Sequence, residues 1–272
     1  MRKILLAAAA IPAMLITAPL AADHHGAAQE LAAALSGEAR NDDRARDQYR
    51  NPAKTLNFFK VKPGMTVADV VPGGGWYSRL LIPYLGDGGT YIGLNPDMSR
   101  ANSERIAERW GGYAGKFPEA LAGWNVSGAT AKGANLDDMG EGDAGTVDRV
   151  LIFREMHNLH RFELVHSTLN GARMLLKDDG MLGIVQHRAK PWASAEYTDG
   201  GKGYLRQQDV IAMVEAHGFD LVATSEINAN AKDTADHPRG VWEMPPSWGS
   251  KNEALKDLGE SDRMTLLFRK RP

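Results

Sequence analysis

A chain of 272 residues, 43% hydrophobic and 24% charged, has the composition of an ordinary globular protein, one large domain or two small ones. Those fractions exclude a disordered chain, a fibrous repeat and a multi-span membrane protein. With 32 Lys and Arg against 34 Asp and Glu there is no basic field to hold nucleic acid. With no cysteine there is no disulfide, thiolate metal site or cysteine nucleophile.

Arg2 and Lys3, an apolar run from Ile4 to Leu20 and small residues at Ala21 and Ala22 read as a secretory signal peptide over residues 1–22. Pro12 and Pro19 interrupt the run, which favours a cleaved signal over a retained anchor. The expectation is a periplasmic or secreted protein with no integral membrane segment after cleavage. Residues 23–49, Ala-rich and then charge-rich, read as a surface helix leading into the Arg50-Asn51-Pro52 turn. Residues 50–272 then form a single domain.

From Thr66 onward apolar strands alternate with helical segments. Strands are expected at Thr66–Val71, Thr90–Leu94, Val126–Thr130 (the weakest), Val147–Phe153, Met181–Gln186, Leu221–Ile227 and Arg263–Arg269. Their apolar residues fall on consecutive positions, as in a parallel sheet covered on both faces. Between them, Tyr77, Leu80, Leu81, Tyr84 and Leu85 keep helical spacing, with Pro83 expected to kink or end the helix. Phe162, Val165, Leu169, Ala172 and Leu176 repeat that spacing over four turns, and Val210, Ile211 and Val214 do so before Gly218. The alternation predicts an α/β fold with an open, doubly wound, Rossmann-like sheet.

Ligands of such sheets lie beyond the carboxyl ends of the strands. The first clear strand runs into Asp69-Val70-Val71-Pro72-Gly73-Gly74-Gly75-Trp76 directly before a helix. Glycines there let a backbone approach a ligand closely. Asp69-x-x-x-Gly73-x-Gly75 resembles the first motif of the class I S-adenosylmethionine-dependent methyltransferases. The resemblance continues through Lys62–Asp69, Thr90–Leu94, Val147–Leu151, Asp178–Leu182 and His217-Gly218-Phe219, roughly Arg50 to Pro272. Val71–Tyr77, the signal peptide and Ser261-Asp262-Arg263 are similar to an exported branch of predicted methyltransferases. The resemblance implies a methyltransferase-like, seven-stranded sheet whose last strand is antiparallel, and S-adenosyl-L-methionine as cofactor.

It also implies the cofactor residues: Asp69, Gly73, Gly74 and Gly75 at the first motif, Asn95 and Asp97 for the ribose, Asn135 and Asp137 for the adenine. Val71 stands at the first motif glycine, and Asn95 and Asn135 stand where the family has acidic residues.

After the fourth strand comes Arg154-Glu155-Met156-His157-Asn158-Leu159-His160. A histidine here suits a general base near neutral pH, so His157 is the candidate that removes a proton from the methyl acceptor. His160 is either a second such group or a local helix contact. Arg154, emerging from an apolar strand, is either a binder of carboxylate or phosphate or a partner of Glu155. His157 and His160 at i, i+3 also invite a metal reading, for which no third ligand is fixed. His187 and Arg188 follow the fifth strand as possible polar contacts. Two regions could cover the site: Arg46 to Pro52, and the insertion from Asn228 to Asp262, whose Trp242 and Trp248 either pin the loop or meet a ligand.

The leading expectation is thus an exported methyltransferase-like enzyme acting on a small-molecule substrate, with no nucleic acid partner. The alternatives are a non-methylating small-ligand binder on the same fold and a histidine-based metal enzyme.

Overall fold

The computed structural model describes residues 22–272; the expected signal peptide, apart from Ala22, lies outside them. The chain opens with α1 (Ala22–Ser36), turns twice through 3₁₀ geometry, and continues as α2 (Asp47–Arg50) and α3 (Pro52–Phe58). Then follow β1 (Thr66–Val70), α4 (Ser78–Leu85), β2 (Thr90–Asn95), α5 (Glu104–Trp110), α6 (Tyr113–Trp124) and β3 (Thr130–Asn135). The second half comprises β4 (Val147–Phe153), α7 (Met156–Arg161), α8 (Val165–Leu175), β5 (Leu176–Ala189), a two-residue β6 (Leu205–Arg206), α9 (Gln207–Ala216), β7 (Phe219–Ser225) and β8 (Arg263–Lys270).

The sheet runs in the order β3-β2-β1-β4-β5-β8-β7. The strands from β3 to β5 pair in parallel, whereas β8 is antiparallel to both β5 and β7. The expected seven strands form this path, and β6 adds a short parallel pair on β5, making eight. The order reverses at β1 and β4, which opens a crevice above their carboxyl ends.

Both faces are covered. Ala68, Val70, Val150, Ile152, Leu182 and Ile184 pack into one core with α8 and α9, while Val67, Tyr91, Leu151 and Val185 pack into the other with α4. Leu266, Leu267 and Phe268 of β8 are fully buried, each contributing about 1.5–3 kcal/mol of apolar burial.

The elements depart from sequence expectation in several places; β5 runs over Leu176–Ala189, well beyond Met181–Gln186, and β7 over Phe219–Ser225, two residues earlier than expected. The third strand begins at Thr130 and not at Val126, because Gly128 (φ 135°) packs against the Ile82 carbonyl and turns the chain there. The stretch read as one helix from Phe162 to Leu176 is helical only over Val165–Leu175: Phe162 caps the end of α7, Glu163 takes a left-handed conformation (φ 60°), and Leu176 opens β5. The N-terminal segment is helical but is not a simple surface helix. Arg40 and Arg50 are buried on either side of Trp76, their guanidinium carbons 4.9 and 4.6 Å from its ring centroid. Arg40 is matched by Asp47 at 2.7 Å.

Candidate active site

The carboxyl end of β1 carries Asp69, 2% exposed, which accepts a hydrogen bond from the Tyr91 hydroxyl at 3.1 Å. Burial pushes its carboxyl up to about 7, with the Tyr91 hydrogen bond and Arg154 opposing the rise and Glu155 adding to it. The chain then bends through Val71 (φ 51°), Gly73 (φ 58°) and Gly75 (φ 78°). A β-branched residue in the left-handed region is strained, and such strain gathers at functional sites. Val71 is held there by its N–H donating to the Leu94 carbonyl at 2.9 Å. Arg79 donates to the Gly74 carbonyl at 2.8 Å and grips Asp43 bidentately at 2.7 and 2.8 Å, so the N-terminal segment braces the turn.

The three glycines serve different ends. Gly73 and Gly75 need positive φ, and a Cβ on Gly75 would fall 2.3 Å from the Trp124 ring. Gly74 has ordinary φ, and a Cβ there would meet nothing within 4 Å. Its missing side chain leaves open space instead.

Gly74 is exposed at the edge of a cavity of about 370 Å³ that lies against the turn. Asp69, Val71, Gly73 and Gly74 line it from β1, and Phe153, Arg154 and Glu155 from β4. The Tyr77 ring lies flat on Phe153, centroids 3.5 Å apart, and forms another part of the lining. The N-terminal segment contributes Asp43, Arg46 and Arg50.

A second cavity of about 250 Å³ shares Arg46, Arg154, Glu155, Pro246 and Ser247 with the first and extends over β5 and β8. His157, His187, Trp242 and Ser261 line it. His157 is 5% exposed, with Nδ1 3.5 Å from the Gln186 amide oxygen and its ring 5.7 Å from His187 and 6.0 Å from Trp242. His187 pairs through Nδ1 with the Ser261 hydroxyl at 2.6 Å. Among the described residues neither Nε2 has a hydrogen-bond partner. Burial lowers His157 to about 4, with Arg154 and Arg161 adding to the fall, and burial, with Arg263, holds His187 well below its ordinary value. Both imidazoles are therefore neutral at neutral pH, each with a ring nitrogen unengaged by protein.

Arg154 (φ 64°) is a second strained non-glycine residue at a strand end, beside Val71. Its side chain makes no ion pair or hydrogen bond among the described residues. Glu155 is engaged by Asn158 at 2.8 Å and is pushed up to about 7 by burial, with that hydrogen bond and Arg154 opposing the rise.

Of the residues singled out in the sequence, Asp69, Gly73, Gly74, Arg154 and His157 thus meet at one two-chambered cleft, and Gly75 shapes the turn above it. The others lie elsewhere. Asn95 donates to the Trp110 carbonyl at 3.1 Å. Asp97 caps the following turn through Ser99 at 3.0 Å. Asn135 donates to Asp138 at 2.8 Å, Asp137 is exposed, and none of the four lines either chamber. His160 is exposed while His157 is buried, so the pair does not share a metal-binding face. No three His, Cys, Asp or Glu side chains among the described residues are placed to hold a metal ion.

Both covering regions reach the cleft, the first through Arg46 and Arg50, the second through Trp242, Pro245, Pro246 and Ser247. Trp248 instead ties the insertion to itself, donating to the Asn252 carbonyl at 2.7 Å. Glu260 and Ser261 carried no signal in the sequence as site residues; only the fold brings them beside β5. Among the described residues no helix is long and apolar enough to cross a membrane.

The strand order, the antiparallel β8 and the glycine turn after β1 define the class I methyltransferase fold. Solved structures bear this out. A SAM-dependent methyltransferase from Aquifex aeolicus is similar with a TM-score of 0.50 at 19% identity, over 69% of this chain and 89% of that one. Geranyl diphosphate C-methyltransferase from Streptomyces coelicolor A3(2) is similar with a TM-score of 0.53 at 11% identity, over 88% of this chain and 86% of that one. At such identities the likeness establishes the fold alone. No family model matches the sequence, and no curated protein matches it either.

Proposed function

We propose that this chain is an exported enzyme that transfers a methyl group from S-adenosylmethionine to a small molecule in the cleft above β1 and β4. The observation that carries the reading is Gly74. Gly74 needs neither positive φ nor close packing, and, exposed at the mouth of the cavity, it leaves the backbone open to a ligand.

The lining fits the charged tail of that cofactor. Asp69 and Glu155 offer acceptors to an ammonium group, and a bound cation would relieve the burial that raises both carboxyls. Asn95, Asp97 and Asn135 bond to their own neighbours, but Asn135 Oδ1 has no hydrogen-bond partner among the described residues and can accept from a nucleoside without displacing one.

Bound adenosylmethionine supplies an electrophilic methyl group. The chain's part is to align an acceptor in the second chamber and take the proton the acceptor loses. His157 does the latter. A neutral imidazole of low basicity suffices, because the acceptor atom becomes strongly acidic as it gains the methyl group. Trp242 and the prolines beside it narrow the chamber and limit water.

Gly74→Val tests the reading. It keeps the wild-type melting temperature and loses calorimetric binding of S-adenosylhomocysteine. A variant that binds as the wild type does, or a wild type that gives no heat, contradicts it.

A further inference from the structure

Four guanidinium groups, those of Arg46, Arg50, Arg154 and Arg263, line the two chambers, and one carboxylate, Glu260, pairs directly with three of them. Glu260 takes Arg46 at 2.6 Å, Arg50 at 3.1 Å and Arg263 in a still closer contact. Burial would raise the Glu260 carboxyl, but Arg263, Arg50 and Arg46 together hold it at about 2, so it is fully committed to those three. The Arg154 side chain makes no hydrogen bond or ion pair among the described residues. Half-buried, it sits on a strained backbone position facing both chambers, where Asp69, Glu155 and Glu260 act on it through space but none bonds to it. The same imbalance is felt by Arg50, 2% exposed, whose Nη1 has no hydrogen-bond partner among the described residues. Burial first, then Arg154, press Arg50 down to about 8.

We infer that the second chamber is a binding site for an anionic oxygen group, a carboxylate or phosphate, gripped by Arg154 with Arg46 beside it. A planar guanidinium fork matches both groups bidentately. His157 and His187, each with one unpartnered ring nitrogen, stand on the same chamber wall to meet the rest of the ligand. The methyl acceptor is accordingly an anionic small molecule. That last step rests on the methyl-transfer reading; the anion site does not.

Inorganic phosphate, titrated at neutral pH and constant ionic strength, is the probe. One saturable site is expected, weakened about tenfold or more in Arg154→Gln and unchanged in Arg271→Gln, a surface arginine just past the far end of β8. Should Arg154→Gln fail to fold, Arg154→Lys keeps the charge without the fork: a clear loss of affinity supports the site and undiminished binding overturns it. Absence of saturable binding, or equal binding by folded Arg154→Gln, also overturns it. The anion could instead be the cofactor's own methionyl carboxylate. Phosphate that still binds with S-adenosylhomocysteine saturating places the anion on the acceptor. Phosphate displaced by S-adenosylhomocysteine but not by methylthioadenosine, which lacks the carboxylate, overturns the acceptor assignment. Phosphate binding without any S-adenosylhomocysteine binding upholds the anion site while the methyl-transfer reading falls.

Discussion

At Asp69 two demands conflict: the fold buries the carboxyl, and the cleft needs it charged. Its ordinary value in an unfolded chain is near 4, and in the fold it stands at about 7. The charged form is therefore penalised, and the penalty is absent below about pH 4, grows as pH rises and is complete above about pH 7. Asp69→Asn removes a titration but keeps an acceptor for Tyr91. The variant is expected to match the wild type near pH 4 and to exceed it by a few kcal/mol at pH 8, measured by denaturant unfolding at the two pH values. A pH-independent difference would contradict the assignment. His157 has the opposite sense, since burial holds it at about 4 and keeps it neutral wherever an enzyme would be assayed. His157→Gln keeps a polar side chain but cannot take a proton. Its expected effect is a fall of about 100-fold or more in kcat with unchanged S-adenosylhomocysteine affinity. An equal loss in both would make His157 a binding group only.

Among the elements, α6 on β3 shows how local sequence can hide a strand. Gly93 and Gly133 pair across β2 and β3, and Cβ atoms on them would fall 2.9 and 2.5 Å from atoms of Phe117. The strand needs small residues so that the helix can lie close. Gly133→Val is therefore expected to destabilise the protein by about 1–3 kcal/mol, despite the greater strand propensity of valine. A stabilised variant would show that the helix can move away. The same closeness explains the misplaced third strand: Thr130–Asn135 is an edge strand of small and polar residues, so the apolar pattern falls on Val126 instead. Central strands β1, β2 and β4, buried on both faces, were fully legible, as was the turn after β1. Arg154 and His157 were legible because they follow a strand end directly. Glu260, Ser261 and Arg263 sit at the start of β8 and join the site only through the antiparallel pairing of β8 with β5, which no spacing along the chain encodes. Arg50 was hidden for another reason. A charged residue in a charged stretch reads as solvated, and here its partners are Trp76 and Glu260, far off in sequence.

At the scale of the whole molecule, the switch point between β1 and β4 opens the cleft, and two segments outside the sheet finish it. The N-terminal segment enters through Arg46 and Arg50 and the insertion between β7 and β8 through Trp242 and Glu260, and the ion pairs to Glu260 join the two. The cleft is thus divided into a chamber under the glycine turn and a chamber around His157, with Arg154 on the wall between them. A crystal structure of the chain with S-adenosylhomocysteine tests this division most directly. The amino-acid tail is expected against Gly73 and Gly74 with its ammonium on Asp69 or Glu155, and the sulfur turned toward the chamber of His157. An ordered cleft with no ligand in it, or a ligand bound away from the glycine turn, would contradict it.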